Sequence, residues 1–292
     1  MAYDPLHLQL TTQHLDYLVA VDDHQTWALA AASCGVSPSA LSQGLSELER
    51  RLGLALFDRV GRKRVLTANA AEVLAYARRV VAQTHDLERW ADASKSGETG
   101  ALRVGMIDVA AVAHFPDQLH AFRNRFPDVD LRLSVSGSTS LVDQLRSGNL
   151  DVAIVVEPIV PLPDLTMTPL LSEPLAVYAP EGQSGRKPGD WGPWVTFPSS
   201  SHSRQWIRQE LAALGASFEV VAESHQPEVL REMVRLGIGW TVLPVSQAEA
   251  GPGAITRARQ RPLFKRRLVI ARRSGALPHP GVDQLISLIA TT

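Results

Sequence analysis

Residues Thr26 to Leu52, TWALAAASCGVSPSALSQGLSELERRL, constrain the fold more than any other stretch of the chain. The first part is short, Ala-rich and apolar on one side through Trp27, Leu29, Ala30, Ala31 and Ala32. Cys34-Gly35-Val36 interrupts it, and Ser37-Pro38 opens a second helix. Leu41, Leu45, Leu48 and Leu52 then fall at i, i+4, i+7 and i+11, one face of an α-helix. Ser37 suits the N-cap, and Pro38 suits the first helical position, where its missing N–H costs nothing. Two short helices joined by a tight Gly turn predict a helix-turn-helix. Ser39, Ser42 and Gln43 lie on the first two turns of the second helix, off its leucine face. In this motif those positions point into the DNA major groove.

The flanking segments extend the same reading. Thr12 to Val21 predicts a first helix, with Leu15, Leu18 and Val19 inward and Tyr17 a further candidate for that face. Residues 54–66 read as a β-hairpin with apolar ends and a basic, Gly-containing tip. Arg59, Arg62, Lys63 and Arg64 put four positive charges within six residues, suited to phosphate or minor-groove contact. Thr67 caps a helix predicted over 68–93, roughly 39 Å long. Along it Ala70, Val73, Ala77, Val80, Thr84, Leu87 and Ala91 form an a/d-type seam, the pattern of a dimerising coiled coil. A winged helix alone offers such a seam little to pack against. Ser94 to Gly100 is polar and Gly-bearing and reads as a hinge.

From Ala101 the rhythm changes to strand–helix alternation. Strands are expected at Leu102–Met106, Asp130–Val135, Asp151–Val156, Leu175–Tyr178, Trp194–Phe197, Phe218–Val221 and Leu268–Ala271. Helices are expected at Phe115–Phe126, Ser138–Ser147, Ser203–Leu214, Pro227–Leu236 and Gly281–Ile289. Such alternation predicts two α/β lobes on a largely parallel sheet.

Two blocks carry a family resemblance. AAASCGVSPSALSQ, LERRLG, LFDR, a basic turn and LT, in that order, closely resemble the N-terminal domain of LysR-type transcriptional regulators. The sequence departs from the family pattern at His24-Gln25-Thr26-Trp27 and at Asn69-Ala70, away from the residues expected to read bases. LRVGM, FPDVDLRLSVSGSTSLVDQLRSGNLDVAIV and VLREMVRLGIGWTVLPVSQA resemble the effector domain of the same family. The resemblance implies an α/β multidomain chain: a winged helix-turn-helix over 1–67, a linker and dimerisation helix over 68–93, a hinge over 94–100 and a two-lobed α/β effector domain over 101–292, similar to type 2 periplasmic binding proteins. It further implies a cytoplasmic homodimer, paired into a tetramer, that binds double-stranded DNA, answers a small-molecule effector and acts on the transcription machinery.

Two α/β lobes leave a cleft at the strand carboxyl ends, where helix N-termini favour anions. The candidate effector contacts are Ile107 and Asp108 after the first strand, and Ser138, Thr139 and Ser140 at the next helix start. In the second lobe they are Ser199, Ser200, Ser201, His202 and Ser203, with His225 either at the cleft or on the surface. Hydroxyls suit a carboxylate, while Asp108 either pairs with an amine or turns away from the ligand, so the expected ligand is a small carboxylate or an amino-acid-like compound. Ser37 and Pro38 join Ser39, Ser42 and Gln43 as expected DNA contacts, with the four wing cations. The basic run Arg257, Arg259, Arg261, Lys265, Arg266, Arg267, Arg272 and Arg273 reads best as a solvated strand edge, against a subunit interface or a second DNA contact.

Composition narrows the alternatives. The chain has 292 residues, 45% hydrophobic and 20% charged, with net charge −1. Residues 1–95 hold 10 Lys+Arg against 11 Asp+Glu, so any electrostatic footprint on DNA must come from local clustering. The single cysteine, Cys34, rules out an intrachain disulfide, a Cys-based zinc site and a redox sensor built on a Cys pair. No metal or other cofactor is expected. The N-terminus lacks the basic and apolar regions of a signal peptide, which counts against a secreted solute-binding protein. No GxSxG, P-loop, HExxH or strand-following GxGxxG is present, which counts against an enzyme.

Overall fold

The computed structural model describes residues 10–60, 63–96 and 100–290, with side chains at all of these except 59, 60, 63, 64 and 92–96. The chain divides into two compact units, the first carrying the N-terminal helices and hairpin, the second nearly all of the remaining residues.

In the first unit, α1 spans Thr12–Asp23, α2 Trp27–Ser33, α3 Pro38–Leu52 and α4 Ala68–Ser96. Each of the first three starts at a hydroxyl cap: Thr11, Thr26 and Ser37 accept the backbone N–H of His14, Leu29 and Ala40. Gly53 ends α3 in the left-handed region, at φ 64°. The core joins Leu15, Tyr17 and Leu18 of α1 to Leu41, Leu45 and Leu48 of α3, and to Ala70, Ala77 and Val81 of α4. Helices α1 and α3 approach closely at Gly44, where a Cβ would stand 2.7 Å from the Tyr17 ring. Strands β1, Phe57–Val60, and β2, Lys63–Leu66, form an antiparallel hairpin with Phe57 opposite Leu66 and Val60 opposite Lys63. Glu49 holds the α3-to-β1 turn, its Oε1 accepting the N–H of Leu56 at 2.8 Å and of Phe57 at 3.1 Å.

The expected seam on α4 is divided. Ala70 and Ala77 are buried within the unit's own core, and Val73 and Val80 pack against it. Arg78 of α4 also pairs with Asp22 and Asp23 at the end of α1. The expectation that the unit offers this seam little packing is therefore corrected: α1 supplies it. The large apolar side chains left outside are Tyr76, Leu87 and Trp90, 54%, 54% and 48% exposed.

In the second unit the elements are β3 (Ala101–Met106), a π-turn at Ala110–His114, α5 (Pro116–Arg125), β4 (Asp130–Val135), α6 (Ser138–Arg146), β5 (Val152–Val156) and β6 (Leu165–Tyr178). They continue with a 3₁₀ turn at Pro188–Asp190, β7 (Trp194–Thr196), α7 (His202–Ala213), β8 (Val220–Glu223) and α8 (Pro227–Arg235). The last are β9 (Thr241–Pro244), α9 (Val245–Ala248), β10 (Phe264–Arg273) and α10 (Pro280–Ala290). The six-stranded sheet has the order β4-β3-β5-β10-β6-β9, and β7 pairs with β8 in parallel apart from it. Strand β3 is parallel to β4 and β5, whereas β10 is antiparallel to both β5 and β6, and β9 to β6. The sheet is thus mixed rather than largely parallel, because the long strands β6 and β10 cross between the lobes in opposite directions.

Each lobe has its own core. One gathers Leu102, Met106, Phe122, Leu141, Ile154, Val269 and Leu285. The other gathers Tyr178, Trp191, Trp194, Trp240, Ile207 and Leu230, with Trp191 stacked on Trp240 at 5.9 Å. Leu171 of β6 packs on the first core and Leu175 belongs to the second, so the chain passes between the lobes at residues 172–174. The basic run is corrected accordingly: β10 is an inner strand, not a solvated edge. Arg266 and Arg273 are buried, and Arg257, Arg267 and Arg272 pair with Glu249, Glu157 and Asp283.

Candidate functional site

The leucine face of α3 fixes what its other face presents. With Leu41, Leu45 and Leu48 buried, Ser37, Pro38, Ser39 and Gln43 are exposed and Ser42 is half-buried. Ser37 Oγ lies 2.9 Å from Ser39 Oγ, joining the cap to the first turn. Further along, Glu47 accepts from Arg50 and Arg51, and those bonds hold its carboxyl down to about 2. Cys34 sits in the α2-to-α3 turn, where burial, and then the charge of Asp16, push its thiol pKa up. That is the opposite of what a reactive thiolate needs. Of the wing cations, Arg59 lies on β1, Lys63 and Arg64 lie on β2, and Arg62 is outside the described residues.

A cleft of about 780 Å³ opens between the two lobes of the second unit. The start of α6 and the start of α7 both line it, so unpaired helix N–H groups border the space. Thr139 Oγ1 donates to Ser200 O at 2.5 Å, and Gln247 Nε2 donates to Asp108 Oδ2 at 3.2 Å. Both bonds reach from one lobe to the other. Ser138 Oγ accepts the N–H of Val156 at 3.1 Å, which fixes the hydroxyl at the end of β5.

Arg266 of β10 borders the cleft at the point where the strands cross. It is 5% exposed, and its cross-strand partner Glu173 is 3% exposed. Arg266 Nε donates to Glu173 Oε1 at 2.6 Å, and one terminal nitrogen donates to Ser203 Oγ at 2.6 Å. His114 Nε2 lies 3.1 Å from the other carboxylate oxygen. Burial alone would push the Glu173 carboxyl up, but the Arg266 guanidinium and the bond to His114 overcome it and leave the pKa lowered.

The cleft brings together most of the residues expected there: Ile107, Asp108, Ser138, Thr139, Ser140, Ser200, Ser201 and His225. It does not include Ser199 or His202. Ser199 faces a separate depression beside Arg204 and Arg208. His202 is buried, its Nδ1–H donating to Val156 O at 2.9 Å, so it ties α7 to β5 instead of meeting a ligand. Ser203, expected from the same Ser-rich run, lines the cleft as well, whereas sequence reasoning missed Arg266, Gln247, Asp143 and Glu228. Arg266 carried no local signal, because its partner Glu173 is 93 residues away.

Comparison with known proteins places this arrangement. A family model described as the LysR substrate binding domain matches residues 95–292, and one described as the bacterial regulatory helix-turn-helix protein, lysR family, matches residues 12–71. The chain belongs to the LysR family. Among LysR-type relatives, the uncharacterised HTH-type transcriptional regulator YfeR of Shigella flexneri is 27% identical over 277 residues, covering 91% of this chain and 89% of that protein. A hydrogen peroxide-inducible genes activator of Dickeya chrysanthemi is 28% identical over 291 residues, covering 94% and 93%. Among solved structures, a full-length OxyR variant from Pseudomonas aeruginosa aligns at a TM-score of 0.66 with 26% identity, covering 96% of this chain and 94% of that one. CbnR complexed with its target DNA aligns at 0.60 with 20% identity, covering 97% and 99%, and shares the fold.

The chain is therefore a LysR-family transcriptional regulator with a helix-turn-helix and an effector-binding domain. Its relatives are regulators, not enzymes. Among the described residues no His, Cys, Asp and Glu cluster is arranged to hold a metal ion, and no helix is long and apolar enough to cross a membrane.

Proposed function

We propose that this LysR-type regulator binds a partly palindromic operator as a dimer and changes its grip on DNA when a small molecule occupies the inter-lobe cleft. The observation that carries the proposal is the cleft itself, about 780 Å³ and lined from both lobes, in a chain whose first unit exposes the leading turns of α3. Ser39, Ser42 and Gln43 approach base edges, Ser37 and Pro38 set the helix start against the backbone, and Arg59, Arg62, Lys63 and Arg64 hold phosphates. Helix α4 joins two copies through Tyr76, Leu87 and Trp90, and two dimers associate into a tetramer in the cytoplasm. The effector is a small carboxylate or an amino-acid-like compound held by the helix starts, Ser138 and Asp108. Its binding shifts the population of lobe arrangements and so the spacing of the DNA-binding heads presented to the transcription machinery.

The names of the peroxide-inducible relatives raise a second reading, in which oxidation is the signal. Cys34 is the only cysteine, so a switch through an intrachain disulfide is excluded.

The test is binding of the full-length protein to its own upstream intergenic DNA, with a scrambled control and a salt series. One protected site with much weaker control binding is expected. Gln43→Ala should cost about 1–3 kcal/mol on the specific site only. Removing Arg62 and Lys63 should weaken binding to both DNAs and flatten the salt slope. Equal loss on both DNAs for Gln43→Ala removes that side chain from base reading.

A further inference from the structure

We infer that the occupant of the cleft is zwitterionic, with a protonated amine obligatory for binding and a single anionic group at its other end. This rests on the reading of the cleft as the effector site and narrows the ligand class within it.

The cleft is rich in acceptors. Asp108 stands at the end of β3 and takes one hydrogen bond, from Gln247 Nε2 at 3.2 Å. An ionised carboxylate has about four acceptor positions, so most of its capacity is open. Gln247 Oε1, the other atom of the same amide, is buried and has no partner. A carboxylate and an orphaned amide oxygen side by side call for a donor with several protons, and an ammonium group offers three donors and no acceptor. Asp143 and Glu228 line the same cleft from exposed positions on α6 and α8. They deepen the negative potential that draws a cation in. The one buried cation of the lining, Arg266, is already neutralised by Glu173. His225 is exposed on the rim. A dicarboxylate entering this space meets three carboxylates and, among the described lining residues, no uncompensated Lys or Arg.

The anionic pole is smaller and well defined. Arg266 carries five N–H groups, and its bonds to Glu173 and Ser203 account for about three of them. Ser203 accepts from Arg266, and Ser138 accepts from Val156, so each hydroxyl keeps its own proton for a ligand oxygen. The first N–H groups of α6 add the positive end of that helix. These donors suit one carboxylate.

The experiment uses the full-length protein in thermal-shift and calorimetric titrations. The probes are α- and ω-amino acids, the matching deaminated acids, the matching decarboxylated amines, and dicarboxylates. Amino acids alone should give saturable binding. Asp108→Asn preserves the shape and the acceptor for Gln247, and should weaken that binding roughly 10- to 100-fold, as expected when a charge-assisted hydrogen bond is lost. The unchanged melting temperature of Asp108→Asn without ligand guards against a folding defect. A deaminated acid that binds as tightly as its amino parent overturns the amine requirement and leaves the effector cleft standing. An amine that binds as tightly as the amino acid overturns the anionic pole. A silent panel also overturns the inference. If small-molecule fractions of cell extract then shift the DNA footprint, the effector reading survives without the amine. If they do not, both fall.

Discussion

Replacing Arg266 by Met tests how the crossing point between the lobes is held. Arg266 and Glu173 are 5% and 3% exposed, and the carboxylate takes the guanidinium at 2.6 Å and His114 at 3.1 Å. Removing the arginine leaves a buried carboxylate with one hydrogen-bond partner, which costs about 3–5 kcal/mol. The double variant Arg266→Met with Glu173→Leu removes both charges and should recover most of that loss. The sign of the pH dependence comes from linkage. In the native protein the folded carboxyl is lowered, so the group contributes stability above its ordinary value of 4.5 and loses it as pH falls from there through the folded value. In Arg266→Met burial, the largest of the effects on Glu173, is opposed by the His114 bond alone and pushes the folded carboxyl up. The variant then takes up a proton on folding more readily as the solution is made acid. The deficit against wild type should therefore shrink as pH falls from about 8 toward 5. Calorimetric melting of the full chain at several pH values, tracking the transition of the β3–α10 unit, measures it. A cost below about 1 kcal/mol, or a deficit that widens in acid, would refute the claim that Arg266 holds Glu173 ionised.

Glu49→Ala should destabilise the first unit by about 1–3 kcal/mol, because two backbone N–H groups lose the carboxylate that accepts them; denaturant unfolding and weakened DNA binding would report it. Leu87→Asp with Trp90→Asp should convert dimers to monomers in sedimentation without lowering the melting temperature, since both side chains are half-exposed and outside the core. Monomers that melt early would show instead that these residues stabilise their own chain.

The helix-turn-helix was legible because its signals are local. Leucines on one face, a Ser-Pro start and a Gly stop lie within 27 residues and agree with one another. Strand β6 was half hidden for an equally physical reason. Its first ten residues, LTMTPLLSEP, contain Pro169 and Pro174, which argue against a ladder strand. In the structure Leu268 pairs with Leu171 and Val269 with Pro169, so Leu170 is skipped and Pro169 borders a bulge, where proline is tolerated. The cleft was legible where it is built from helix starts, because Ser-rich segments announce those starts. It was illegible at Arg266 and Gln247, whose partners Glu173 and Asp108 are 93 and 139 residues distant. The seam on α4 misled because two apolar stripes share one helix, and only the fold shows that α1 takes Ala70 and Ala77.

Charge gives the oligomer a further reason. Along α3 both Arg50 and Arg51 are committed to Glu47, and on α4 Arg78 is committed to Asp22 and Asp23. The proposed phosphate contacts of one head are the wing cations Arg59, Arg62, Lys63 and Arg64. Four phosphates neutralised correspond to a salt slope of roughly −3.6, and to weak binding at physiological salt. In the proposed dimer, two heads joined through α4 would double the counterions released, and the second contact would become intramolecular at an effective concentration set by the link. Affinity then depends on whether both heads meet their half-sites at once. In the proposed mechanism, a ligand that changes their spacing would control DNA binding without touching a DNA contact, so a cleft in the second unit and a first unit with nearly balanced charge suit one another.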